Sequence, residues 1–230
     1  MRPLLFALGL SALGIGSYVG LTQVWAPAPS TGETTVVETP GVTSVASPAG
    51  GATVPTPPAS TSGVRTSVAT ETYAVQGSTA DELLSSMASR APRTDGEVFF
   101  GLTEAEIGLR FRPTPVAGGC LLRDVEIELA LTVTLPEWTP APPPDPALVR
   151  DWGRFRRALA SHEDRHAEIA ESGAQRMLRA IDGLRRQSCE VASNEAQRRL
   201  ERLEIEVEAA QRRYDSETGH GRTEGAVWPQ

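Results

Sequence analysis

From Leu148 to Leu184 large apolar side chains recur every three or four residues, at Leu148, Trp152, Phe155, Leu159, Ile169, Met177, Ile181 and Leu184. That is the period of a helix with one buried stripe. Between Leu159 and Ile169 the stripe has two vacant steps, and His162 and His166 stand on them. The same periodicity that buries the leucines therefore turns two imidazoles toward the core. Buried imidazoles need polar partners, so any fold this chain adopts must bring polar groups to the inner face of this helix. Asp145 and Pro146, a capping residue and a proline suited to a first helical turn, mark where the helix begins.

Residues 162–166 read His-Glu-Asp-Arg-His, an instance of HExxH. Histidines four apart on a helix lie on one side about a turn apart, where both can bind one Zn²⁺, and Glu163 is placed to accept a proton from water at the metal. A zinc site of this kind wants a third protein ligand. A second helix is expected from about Ser193, with Ala196, Leu200, Leu203, Val207, Ala210 and Tyr214 on its buried seam, folding back on the first as a hairpin that turns near Cys189. At 1.5 Å per residue, Glu195 then lies about 30 Å from the histidines, while His166 is level with about residue 214 and His162 with about 218. Glu171 falls on the wrong face of its own helix. The chain that leaves the second helix carries His220 between Gly219 and Gly221, whose freedom lets it turn inward, and His220 is the expected third ligand. Tyr214 is a candidate oxyanion donor, or simply the last seam residue. Asp215 is a candidate acceptor orienting a ligating imidazole, or a partner for local backbone groups.

Upstream the period is two. Ile107, Leu109 and Phe111 alternate with polar neighbours, and so do Val125, Ile127, Leu129, Leu131, Val133 and Leu135, which predicts two half-buried antiparallel strands. Thr72–Gly77 reads as a short strand, followed by a short helix through Met87. The fold class expected is α+β, a small antiparallel sheet packed with a long antiparallel helical hairpin that carries the HExxH motif, zincin-like in kind.

The N-terminus is of another character. No charge occurs from Pro3 to Ala26, which predicts a signal peptide or a membrane anchor over residues 1–26 and an exported protein, in the periplasm, membrane-anchored or secreted. Residues 27–71, rich in Pro, Thr, Ser and Ala, read as a disordered linker, leaving 72–230 as the folded domain. A formal net charge of −7 argues against a nucleic-acid partner, and two cysteines are too few for a four-cysteine zinc site.

Several blocks together go beyond HExxH: Tyr73-Ala-Val-Gln-Gly77, Phe100-Gly101-Leu-Thr103, Cys120, Leu135-Pro136-Glu-Trp138, Trp152, Cys189, and Tyr214-Asp215-x-x-Thr218-x-His220-Gly221. In these the chain resembles a bacterial family of predicted secreted zinc-dependent proteases, domain of unknown function 922. After the Gly-x-Thr it carries Glu104, Glu106 and Leu109 where that family tends to place aromatics. The resemblance implies export, a disulfide between Cys120 and Cys189, and a metallopeptidase-like site. The expectation is thus a hydrolase with one Zn²⁺ per chain on His162, His166 and His220, with Glu163 and Tyr214 in catalysis and a peptide or protein of the cell envelope as substrate. The competing expectation is a non-catalytic envelope protein in which the same zinc site is structural or a remnant.

Overall fold

The computed structural model describes residues 14–21, for their backbone alone, together with 62–94 and 96–228. In chain order the elements are β1 (Gly14–Leu21), β2 (Gly63–Val75), α1 (Ala80–Arg90), β3 (Arg93–Thr94), β4 (Glu97–Val116), β5 (Gly119–Trp138), α2 (Pro146–Ile181), β6 (Arg185–Arg186) and α3 (Cys189–Thr218), followed by a 3₁₀ turn, Arg222–Glu224. The class is mixed α+β. The main strands lie in the order β1-β4-β5-β2, with β3 beside β4 and β6 beside β5.

The β4–β5 hairpin is the antiparallel pair the alternation predicts. Ala105, Ile107, Leu109 and Phe111 share one buried face with Ile127, Leu129 and Leu131. The sheet as a whole is not antiparallel, however: β1 pairs with β4, and β2 with β5, in parallel. For β2 the reason is connectivity. Its last residue, Val75, is level with Trp138, at the end of the sheet where β4 begins, so α1 and a short link carry the chain across β5. β2 is also longer than the strand expected from Thr72, and residues 63–71 of the expected linker belong to it. Most of it is exposed on both faces, so it has no hydrophobic alternation to reveal it, and its pairing with β5 is a backbone ladder.

The apolar segment expected to direct export is described only over β1, and residues 27–61 of the expected linker lie outside the described residues. Among the described residues no helix is long and apolar enough to cross a membrane.

α2 starts as expected, with Asp145 Oδ1 accepting from Ala147 N at 2.9 Å and Pro146 in the first turn. It runs unbroken past Gly173, because that glycine is where α3 crosses: a Cβ there would stand 2.2 Å from Val207 Cγ2. α3 begins at Cys189, four residues before the expected start, capped by the Ser188 side chain. The disulfide joins Cys120 at the start of β5 to Cys189 at the tip of the hairpin. Closing a loop of 69 residues restricts the unfolded chain by about 4 kcal/mol on the chain-entropy estimate.

Two apolar clusters form the core. One gathers the β4–β5 hairpin, the C-terminal half of α2 and the N-terminal half of α3. The other gathers α1, Trp138, Trp152, Phe155, Leu159 and Trp228. His162, Glu163 and His166 lie on α2 between Leu159 of one cluster and Ala170 of the other.

Candidate metal centre

The stripe on α2 buries both imidazoles completely. Their surroundings come from α3, whose inner seam is Ala192, Ala196, Leu200, Glu204, Val207, Gln211, Asp215 and Thr218. Leu203 is only partly buried and Tyr214 half-buried, so the seam is rotated by about one residue from the all-apolar one expected in this half of the helix. The rotation carries Gln211 and Asp215 inward.

Asp215 Oδ1 lies 3.1 Å from His162 Nε2 and 2.9 Å from His166 Nε2, and the two Nε2 atoms are 3.1 Å apart. His162, His166 and Asp215 are thus the buried group able to hold a metal ion among the described residues. Asp215, expected as an acceptor behind a ligating imidazole or as a partner for local backbone groups, has its Oδ1 against both Nε2 atoms. His220, the expected third ligand, lies farther out: its Nδ1 is 3.7 Å from Asp215 Oδ1 and its side chain is 38% exposed. The hairpin register held, since residues 211 and 215 do arrive beside the histidines. Gly219, His220 and Gly221 all take positive φ, and the His220 N–H donates to Asp215 O at 2.8 Å. This tight reversal brings Glu224, not the His220 ring, onto His162.

The other ring nitrogens are occupied. His162 Nδ1 lies 2.8 Å from Glu224 Oε2, and a carboxylate can only accept, so Nδ1 carries the proton. His166 Nδ1 lies 2.6 Å from Gln211 Oε1, whose amide nitrogen donates to His166 O at 3.0 Å, which fixes the amide's orientation and makes this Nδ1 a donor as well. Both Nε2 atoms therefore face Asp215 Oδ1 and each other, so that three ligand-type atoms converge on one point. Ligands about 2.0 Å from a tetrahedral metal are about 3.3 Å apart, close to the spacing found. The donor set, two imidazoles and one carboxylate, suits Zn²⁺. Burial pushes the Asp215 carboxyl up, but hydrogen bonds with His162, His166 and His220 outweigh it and hold the group well below the usual carboxylate range.

Glu163 faces the sheet. Thr103 of β4 donates to its Oε2 at 2.7 Å, whereas Oε1 is buried with no hydrogen-bond partner among the described residues. Gly101 leaves room for that oxygen, since a Cβ there would lie 2.5 Å from it. Burial raises the carboxyl well above its ordinary value, the Thr103 hydrogen bond opposes the shift, and the charges of Asp215 and Asp164 add to it. The phenol of Tyr214 donates to Glu224 at 2.8 Å, and its ring stacks on His162 with centroids 4.8 Å apart. Tyr214 therefore clamps His162 and its carboxylate partner in place. Glu195, set aside by the hairpin count, is held by Arg186, Arg198 and Arg199 near the tip.

Sequence reading missed Gln211 and Glu224. Gln211 was within reach, being four residues from both Val207 and Asp215 on one helical face. Glu224 carried no signal, because its place depends on the reversal at Gly219–Gly221 and on Trp228, which packs on Trp152 and Phe155. No curated protein and no solved structure matches the chain. One family model does, over residues 70–221, and by that match the chain belongs to the bacterial proteins of unknown function DUF922.

Proposed function

We propose that this protein is an exported, zinc-dependent peptidase, zincin-like in its use of HExxH, with His162, His166 and Asp215 as the metal ligands. The observation that carries the reading is the convergence of two buried Nε2 atoms on one carboxylate oxygen at about 3 Å, beside a buried glutamate with one oxygen unpartnered among the described residues. Zn²⁺, when bound, supplies a Lewis acid for a peptide carbonyl and makes water more acidic.

The chain's own residues do the rest. Glu224 and Gln211 fix the tautomer and tilt of the two imidazoles, and Tyr214 holds Glu224 against His162. Thr103 anchors one oxygen of Glu163, so the other, Oε1, is the one that takes the proton from the attacking water and passes it to the leaving amine. The raised proton affinity of Glu163 suits a group that must hold a proton between these two events. The disulfide fits an extracellular or periplasmic protein. With the uncharged N-terminal run it supports export, with a membrane attachment if that run stays on the chain.

The test is to measure metal content and hydrolysis of quenched fluorescent peptides by the full chain and by Glu163→Gln. We expect about one zinc in both and activity lower by a factor of about 10² or more in the variant, the usual contribution of a general base. Bound zinc with no activity in either chain supports a structural metal site instead.

A further inference from the structure

β4 has β5 on one side, and the other side is paired by β1, from Gly14 opposite Phe99 to Leu21 opposite Ile107. That second edge flanks the candidate site. Ser17 is opposite Thr103, the residue that holds Glu163, and β1 also lies against α3, the helix that supplies Asp215. An extended chain in this slot takes its main-chain hydrogen bonds from β4 and runs past the strand positions that position Glu163. Its occupant here is Gly14–Leu21, GIGSYVGL, from the middle of the uncharged run between Pro3 and Ala26.

Those eight residues have two incompatible destinations. In a membrane, or removed as a signal peptide, they cannot pair with β4, and the ladder groups of β4 from Phe99 to Ile107 are then left for another strand. We propose that the outer edge of β4 is a docking edge for an uncharged, extended peptide lying parallel to it, and that the chain's own residues 14–21 compete for that edge until export takes them away. The docking edge deepens the peptidase reading, on which the fate of the docked peptide rests. Docking itself needs no cleavage.

The experiment measures fluorescence polarisation of a labelled GIGSYVGL peptide with terminal arginines, titrated with the full chain carrying Glu163→Gln. Two further chains release or lock β1. Ser17→Pro with Tyr18→Pro removes ladder hydrogen bonds whichever of the two faces β4. Gly20→Cys with Glu106→Cys places cysteines at paired positions, on the exposed face of β4, and ties β1 down. Both apolar cores draw only on residues 64–228, so neither change reaches them through β1. The proline pair is expected to bind the peptide at least tenfold more tightly than the parent, and the oxidised cysteine pair at least tenfold more weakly. Equal affinity in the three chains overturns the docking edge. If the affinities separate as stated and the zinc-loaded chain with Glu163 intact cleaves no peptide, the docking edge stands and the peptidase reading falls. If the affinities are equal in a chain that does cleave peptides, the docking edge falls alone.

Discussion

The two ends of the helical hairpin are built from the same pair of helices and made of opposite materials. Toward the tip, Ala170, Gly173, Ala174, Met177 and Ile181 of α2 meet Ala192, Ala196, Leu200 and Val207 of α3, with the disulfide at the turn. Toward the open end, His162 and His166 meet Gln211 and Asp215, with Glu224 behind them. Small side chains let the helices approach closely at the tip, and that approach sets how near α3's polar residues come to the histidines. The tip supplies stability and register, and the open end uses that register to bring buried polar side chains together.

If the division is real, damage at the tip must cost stability and spare metal binding. The largest effect is expected from Cys120→Ser with Cys189→Ser, which should lower unfolding free energy by about 4 kcal/mol in denaturant titrations. The folded fraction should still bind one zinc.

Glu204 lies on the seam between the two ends, 7% exposed, with neither carboxylate oxygen hydrogen-bonded among the described residues. Burial, with a smaller contribution from Glu201, raises its carboxyl to about 7. The folded state thus keeps a proton that the unfolded chain has already released above the ordinary carboxylate range, so stability falls as pH rises toward and through 7. The shift amounts to about 2 kcal/mol after a discount for residual solvent. Glu204→Gln should remove this slope, so that the stability difference between wild type and variant changes by about that amount between pH 4 and pH 8.

At the open end, Glu224→Gln should weaken zinc binding by about tenfold, the lower part of the range for an outer hydrogen-bond partner of a ligating histidine. Calorimetric metal titration reads this, and the melting temperature of the metal-free chain should barely move. A large loss of stability there would make Glu224 a structural residue and blur the contrast between the two ends.

Most of the frame was legible in the sequence because it is written in periods. The alternation of β4 and β5, the stripe that carries His162 and His166 and the level at which α3 returns all follow from counting. The approach of Asp215 to both imidazoles does not, because an apolar trace of α3 runs through Leu203, Ala210 and Tyr214. Near a site the inner face is polar, so Glu204, Gln211 and Asp215 take those places, and an apolar trace runs one residue astray. The parallel strands were hidden for another reason. β2 is held by backbone pairing along a sheet edge and exposed on both faces, and a ladder made by main-chain groups leaves little mark on the choice of side chains.

The central claim is that His162, His166 and Asp215 hold one divalent cation and that His220 is dispensable for holding it. The measurement is zinc stoichiometry and affinity for the wild-type chain, Asp215→Asn and His220→Ala, each checked for folding. The account predicts one zinc in wild type, an affinity at least a hundredfold weaker in Asp215→Asn, and less than a tenfold change in His220→Ala. Loss of zinc in His220→Ala with binding retained in Asp215→Asn would contradict it.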